Sequence, residues 1–161
     1  MEAGQPYNIG PGAPSPIERV EGGLLSYHTD MDMSHNPFEI GLGKYVDVEQ
    51  EADFIGKEAL RRIKAEGIKQ KLVGLEVHCE PLNGNEHQVP IFYNDEPSGI
   101  MSTVTYSPRL EKNIALAIVP IANTKLGTNL TIEASRGPLE ATVVPLPFIT
   151  SQAKTNQPKV D

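Results

Sequence analysis

The chain has 161 residues and a mass of 17.5 kDa, which suits one well-buried domain rather than two. Its formal net charge of −7 opposes the phosphate contacts that drive nucleic-acid binding, and no polybasic patch favours a membrane surface. The single Cys79 excludes an intrachain disulfide, and no apolar run reaches the roughly 20 residues of a membrane helix. We therefore expect a cytoplasmic protein without nucleic-acid or membrane partners.

Proline and glycine residues occur throughout the chain. Fourteen of each, with no tryptophan, favour a turn-rich β architecture over a helical bundle. Residues 1–14 are expected to form an extended leader, resembling a connection from an upstream part, and residues 150–161 a disordered tail. The sequence between them divides into a connecting segment at 15–70 and a barrel domain at 71–149.

The connecting segment opens with a helix start signal. Ser15 can cap the helix, Pro16 suits its first position and Glu18 completes a capping box. Arg19 and Glu21 lie two positions apart, about 200° around the helix axis, so the two side chains are expected to face different partners.

Two further elements are predicted in this segment. Apolar residues alternate after Asn36-Pro37 and predict a strand at 38–48. An amphipathic helix is predicted at 54–63, with Ala59, Leu60 and Ile63 on its buried face and Gly67 as its stop. Its basic residues are expected on the solvated face, and the alternative is that they hold an anionic tail of a ligand. These residues are Lys57, Arg61, Arg62 and Lys64.

Six short strands with frequent turns are predicted between residues 71 and 149. The fourth, at Ile114–Ile121, is so apolar that both of its faces should be covered. Closure of such a sheet removes its exposed edges. We therefore predict an α+β, β-dominated fold: an antiparallel barrel of about six strands, a capped N-terminal helix and one further short helix.

The sequence contains two groups of potential metal ligands, His78-Cys79-Glu80 and His28 with Asp30 and Asp32. Neighbours on a strand point to opposite faces, so the first group is interpreted as structural or surface residues, and the second as turn residues. No nucleophile elbow or phosphate-binding loop is present in the sequence. The residues alone predict no metal site and no catalytic residue.

Several motifs nevertheless follow one another in a specific order: IERVEGGLL at 17–25, NPFE at 36–39, GLG at 41–43, DFIGKEAL at 53–60, GIMSTVTYSPRL at 99–110 and VPLPFI at 144–149. This order resembles the second half of the glycine-cleavage T-protein family. That family contains tetrahydrofolate-dependent aminomethyltransferases and demethylases, which pass a one-carbon unit to folate. The EGGLLSY and NPFE motifs are closer to its dimethylsulfoniopropionate demethylase-like branch.

The resemblance implies a C-terminal barrel that completes a tetrahydrofolate site with an N-terminal folate-binding half or partner chain. Arg19 matches the arginine that reaches the folate, and Glu21 matches a glutamate that either contributes there or braces the helix. The family's catalytic aspartate belongs to the other half, so this chain is expected to be inactive alone. The alternative is a free-standing, non-catalytic β-barrel module for protein interactions.

Overall fold

The structure, a computed structural model, describes residues 2–7, 15–82 and 86–149. Its α-helices and strands are α1 (Pro16–Glu21), α2 (Lys57–Glu66), β1 (Gln70–His78), β2 (Val89–Tyr93), β3 (Glu96–Ser107), β4 (Lys112–Pro120), β5 (Asn129–Ala134) and β6 (Gly137–Val144). Short 3-10 helices lie at Glu2–Tyr7, Gly43–Tyr45 and Ile121–Asn123. In these ranges no helix combines the length and apolar character needed to span a bilayer.

The strands form a closed antiparallel barrel in the order β1-β4-β3-β2-β5-β6. The ring closes where β1 pairs with β6, from Gly74 opposite Val144 to His78 opposite Glu140. Each strand therefore has a partner on both sides, and the ladder leaves no long edge exposed. The predicted β-dominated, six-stranded antiparallel barrel with two helices is confirmed.

Strand β4 separates two apolar cores. Its inward-facing residues join the barrel core, which also contains Leu75 and Ile91, and its outward-facing residues join a second core beneath α1 and the loop that follows it. The inward set is Ala115, Ala117 and Val119, and the outward set is Ile114, Leu116 and Ile118. The prediction that both faces of this strand are covered is correct, because the connecting segment packs on the outer face.

The start of the chain differs from the expected extended leader. Glu2–Tyr7 forms a 3-10 helix with Pro6 inside it. The fixed φ of proline suits a short 3-10 turn, which needs few backbone hydrogen bonds. The rest of the predicted leader, residues 8–14, and the predicted disordered tail, residues 150–161, lie outside the described residues.

Only part of the cap predicted for α1 is present in the structure. Ser15 occupies the N-cap position and Pro16 the first turn, but the Ser15 side chain makes no capping hydrogen bond. Glu18 does not close a capping box. Its Oε1 instead accepts a hydrogen bond from Nη2 of Arg109 at 2.9 Å, so a contact with the barrel replaces the local cap.

The strand predicted at 38–48 is wrong. This stretch consists of turns and a 3-10 helix, because Oδ1 of Asn36 accepts hydrogen bonds from the backbone N–H of Phe38 and of Glu39 and turns the chain back. The alternating pattern has another origin. Ile40 is buried in the second core, whereas Leu42 remains partly exposed.

Helix α2 begins three residues later than predicted and ends, as predicted, at Gly67, whose N–H binds the carbonyl of Ile63. Lys57, expected in solvent, is only 6% exposed, and Ala59, expected to be buried, is exposed. The acidic loop before the helix folds back over Lys57. The ammonium group donates to the carbonyl oxygens of Gln50 and Ala52 at 2.6 and 3.0 Å.

Candidate functional site

Arg19 projects from α1 toward the loop that follows the helix. Its Nη1 donates to Oδ2 of Asp30 at 2.5 Å and to the carbonyl of Leu24 at 2.8 Å, and its Nη2 donates to Oγ1 of Thr103 at 3.3 Å. The side chain retains 21% of its exposure. Arg19 is therefore fixed on one edge of its guanidinium and open to solvent on another.

Asp30 lies in the turn, as predicted, but it is also the centre of this cluster, which the sequence did not indicate. Its side chain is fully buried. Oδ1 accepts hydrogen bonds from Ser102 at 2.6 Å and Thr103 at 2.7 Å, and Oδ2 accepts one from the N–H of Ser26 at 2.8 Å besides that from Arg19. One carboxylate thus joins the helix, its loop and the barrel wall.

The loop geometry explains how Asp30 comes to point inward. The N–H groups of Thr29 and Asp30 both bind the carbonyl of Ser26, and the N–H of His28 binds the carbonyl of Met31. His28 has a φ of 68°, which reverses the chain before Asp30. His28 is a turn residue, as predicted.

Asp32 also belongs to the turn, as predicted. Its Oδ1 accepts hydrogen bonds from the N–H and hydroxyl of Ser34, and more than half of its side chain is exposed. These hydrogen bonds lower the pKa of Asp32 below its usual value. The three titratable residues of this loop therefore have separate roles, and only Asp30 enters the cluster.

Charge in the cluster is set by opposing effects. Burial alone raises the pKa of Asp30, but hydrogen bonds from Ser102, the Ser26 N–H and Thr103, together with the positive charge of Arg19, outweigh burial. The pKa of this carboxyl group consequently lies below its ordinary value of 3.8. Asp30 is ionised at neutral pH, and it forms a buried ion pair with Arg19.

Glu21 lies on another side of α1 and meets different partners from Arg19, as the helix geometry predicted. It is 3% exposed, and its Oε1 accepts a hydrogen bond from Ser107 at 2.6 Å. Its Oε2 lies 3.4 Å from Nη2 of Arg109. In this geometry Glu21 attaches the helix to the barrel, whereas Arg19 keeps an edge toward solvent.

A cavity of about 560 Å³ lies between the connecting segment and the barrel, next to this cluster. Exposed apolar side chains line it, including Leu24, Tyr45 and Leu126, and Lys44 and Lys71 add positive charge. Among its lining residues in the described ranges, neither member of the Arg19–Asp30 pair is present.

The residues at the C-terminal end of β1 are held by structural contacts. His78 Nε2 lies 2.8 Å from the hydroxyl of Thr142, and the amide of Asn113 donates to the carbonyl of Cys79. Burial raises the pKa of the Cys79 thiol, which leaves it protonated at neutral pH. Over the described part of the chain, no three His, Cys, Asp or Glu side chains are arranged to hold a metal ion.

Sequence reasoning selected Arg19 as a candidate but missed the residues that fix its side chain. Ser102 and Thr103 lie in the middle of β3 and are 4% and 5% exposed. Two adjacent hydroxyl side chains in the interior of a strand were the available signal, because buried polar groups are nearly always paired. The sequence does not say that their partner is Asp30, more than 70 positions away.

A closed six-stranded antiparallel barrel with a helix and loop docked on its outer face defines the class of domain. Residues 70–149 match the family described as the glycine cleavage T-protein C-terminal barrel domain. The chain therefore carries the C-terminal barrel domain of the glycine cleavage T-protein and aminomethyltransferase family.

Curated relatives extend the match into the connecting segment. The aminomethyltransferase of Synechococcus sp. (strain CC9902) is 44% identical over 130 residues, which are 81% of this chain and 35% of the relative. That of Listeria monocytogenes serotype 4a (strain HCC23) is 39% identical over 140 residues, 87% of this chain and 38% of the relative. The chain thus spans little more than a third of the length of these relatives.

A solved structure supports the fold. The crystal structure of glycine cleavage system aminomethyltransferase T from Bartonella henselae superposes with a TM-score of 0.75 at 23% sequence identity. The superposition covers 83% of this chain and 37% of that chain. At this identity the likeness concerns the fold.

Proposed function

We propose that this chain is the C-terminal part of a tetrahydrofolate-dependent one-carbon transferase, in which it completes a folate site. An N-terminal part, in the same polypeptide or in a partner chain, supplies the catalytic residues, and this chain alone is inactive. The named relatives are aminomethyltransferases and favour an aminomethyl over a methyl donor. Membership of the demethylase-like branch remains a prediction, and the lone cysteine is consistent with a cytoplasmic setting.

The observation that carries the proposal is the open edge of Arg19. Three N–H groups of its guanidinium bind Asp30, Leu24 and Thr103, and the other two have no acceptor among the described residues. A guanidinium matches planar oxygen groups with paired donors better than an ammonium does. Folate offers such groups in its carboxylates and pterin ring, so the donors left on Arg19 fit part of a folate site.

Glu21 was the second residue expected near the folate. Its burial and its hydrogen bond to Ser107 support the bracing role over direct contact. We propose that Glu21 holds α1 against the barrel and thereby keeps Arg19 at the surface. Arg19 touches the folate, and Glu21 acts through the helix.

The test replaces the matching C-terminal part of the Listeria aminomethyltransferase with this chain and titrates the chimaera with tetrahydrofolate under anaerobic conditions. Arg19→Lys keeps the charge but loses the paired donors, so we expect affinity to fall about 10- to 100-fold. Arg62→Lys, on the exposed face of α2, is the matched control and should bind like the unmodified chimaera. A folded chimaera without folate affinity would overturn the proposal and leave the interaction-module alternative.

A further inference from the structure

The carboxylate of Asp30 has no capacity left for a ligand. A carboxylate offers about four lone-pair directions, and Asp30 uses two on each oxygen. Its side chain is fully buried. Any contribution that Asp30 makes to binding must therefore pass through a neighbouring group, and the only charged neighbour among its described partners is Arg19.

A break in the β3–β4 ladder brings two hydroxyl groups to Asp30. Met101 pairs with Ala117 and Thr103 pairs with Leu116, so Ser102 is an extra residue without a partner in that ladder. Successive side chains of a regular strand point to opposite faces, whereas a β-bulge changes their direction. The Ser102 and Thr103 hydroxyls consequently converge on the same oxygen of Asp30.

Side chains outside the ladder stabilise the bulge and the loop. Nδ1 of His87 lies 3.0 Å from the carbonyl of Ser102, the residue that the ladder leaves unpaired. The amide of Gln88 donates to the carbonyl of Thr29 at 2.7 Å, next to Asp30. The stretch that leads into β2 therefore contacts both the bulge of β3 and the loop that carries Asp30. These contacts favour one fixed arrangement of the bulge and the loop.

Thr103 completes the arrangement because it contacts both members of the ion pair. Its hydroxyl donates to Oδ1 of Asp30 at 2.7 Å and accepts from Nη2 of Arg19 at 3.3 Å. With the Leu24 carbonyl, these contacts fix the plane of the guanidinium and leave two of its N–H groups without an acceptor among the described residues, on a side chain that is 21% exposed. An arginine without such partners would sample many rotamers and would lose that freedom on binding.

We propose that Asp30 is a positioning residue, which with the Ser102–Thr103 bulge of β3 holds the Arg19 guanidinium in the orientation that receives a planar oxygen group of the ligand. The inference rests on the proposed function for the identity of that ligand as a folate. The orientation of Arg19 itself does not depend on it.

The first experiment observes the orientation directly in the 161-residue chain. Slow rotation of the guanidinium and a shifted Nε–Hε signal are expected for Arg19 in nitrogen-15 NMR spectra, assigned by the loss of that signal in Arg19→Lys. In Asp30→Asn the signal should move toward the values of exposed arginines. Asp32→Asn removes the same charge from an exposed neighbour and should leave the signal unchanged.

Thr103→Val keeps the side-chain shape, removes the hydroxyl that contacts both groups and should shift the Arg19 signal in the same direction. It decides the question if Asp30→Asn does not fold, as judged by the amide signals of the barrel. An unchanged Arg19 signal in a folded Asp30→Asn or, failing that, in Thr103→Val would overturn the positioning role.

The second experiment separates this inference from the proposed function. In the chimaera, Asp30→Asn should weaken tetrahydrofolate binding about tenfold, and adding it to Arg19→Lys should cause little further loss, because the two residues act as one unit. Retained affinity in Asp30→Asn, beside weak binding in Arg19→Lys, would overturn the positioning role alone. Absence of binding by the unmodified chimaera would overturn the folate assignment, while the NMR result would still decide the orientation.

Discussion

The barrel and the connecting segment are stabilised by different interactions. The barrel, residues 70–149, has a continuous strand ladder around an apolar core, and its buried polar residues in the described ranges are uncharged. The connecting segment, which in the structure ends at Lys69 because β1 begins at Gln70, has two short α-helices and one 3-10 helix. It buries four charged side chains, Glu21, Asp30, Glu39 and Lys57. Burial of apolar area is tolerant of detail, whereas a buried charge requires specific partners. The barrel therefore sets the fold, and the charged residues of the segment, where they meet polar residues of the barrel, set the position of Arg19.

The largest effect is expected at Gly99, where β3 lies close to the backbone of β4. Gly99 has a φ of +114°, and a Cβ atom there would lie 2.1 Å from the carbonyl oxygen of Ile118. Gly99→Ala should lower the free energy of unfolding by more than about 4 kcal/mol, or prevent folding. Gly137→Ala is the matched control, because its φ is +110° but no atom lies within 4 Å of the new Cβ.

Gly137→Ala should cost only backbone strain, about 1 to 3 kcal/mol. Urea unfolding of the two variants measures the difference. Equal losses would show that the backbone angle, rather than the close approach of β3 and β4, makes glycine necessary at position 99.

The next effect concerns the apolar core of the barrel. Ile91 is fully buried, so Ile91→Ala should leave a cavity and lower the free energy of unfolding by about 3 kcal/mol. Ile55, in the connecting segment, is fully exposed, and Ile55→Ala should change it by less than about 0.5 kcal/mol. Urea denaturation checks both values, and a substantial loss in Ile55→Ala would mean that this part of the segment packs more closely than described.

Glu21→Ala tests whether the connecting segment unfolds locally while the barrel stays folded. The variant leaves the buried Ser107 hydroxyl without its carboxylate partner, which should lower the free energy of segment opening by about 2 kcal/mol. Hydrogen exchange should show faster exchange at amides of α1 and the following loop, with little change in β4. Equal acceleration in both regions would contradict a separate opening and would make the two regions one cooperative unit.

The strands were predictable because their signal is local. Val89–Tyr93 was located correctly from its own alternation and flanking turns. The apolar run of β4 correctly predicted that both faces of this strand are covered. The segment was harder because its decisive contacts join distant residues. Asp30 meets Thr103 across 73 positions and Glu21 meets Ser107 across 86, and no periodicity records such pairs.

Acid should loosen the segment through Asp30. Its folded-state pKa is lowered, so its contribution to stability is fully present above the ordinary value of 3.8 and is lost as pH falls through the folded value. The free energy of segment opening, measured by hydrogen exchange, should therefore fall below about pH 4. Asp30→Asn should flatten this dependence. The same acid slope in both proteins would show that another carboxylate carries it.

The smallest effect is expected on the outer surface of the barrel. Nζ of Lys112 lies 2.8 Å from Oε2 of Glu76, but about half of the lysine and a quarter of the glutamate side chain are exposed. Water and salt screen such a pair, so Glu76→Ala should cost about 0.5 kcal/mol, and less at high ionic strength. Urea unfolding at two salt concentrations measures it. Glu21→Ala is the same substitution in the connecting segment and serves as the comparison. If Glu76→Ala lowered the free energy of unfolding as much as Glu21→Ala does, carboxylates would stabilise both regions alike. The contrast between an apolar barrel and a segment positioned by charges would then not hold.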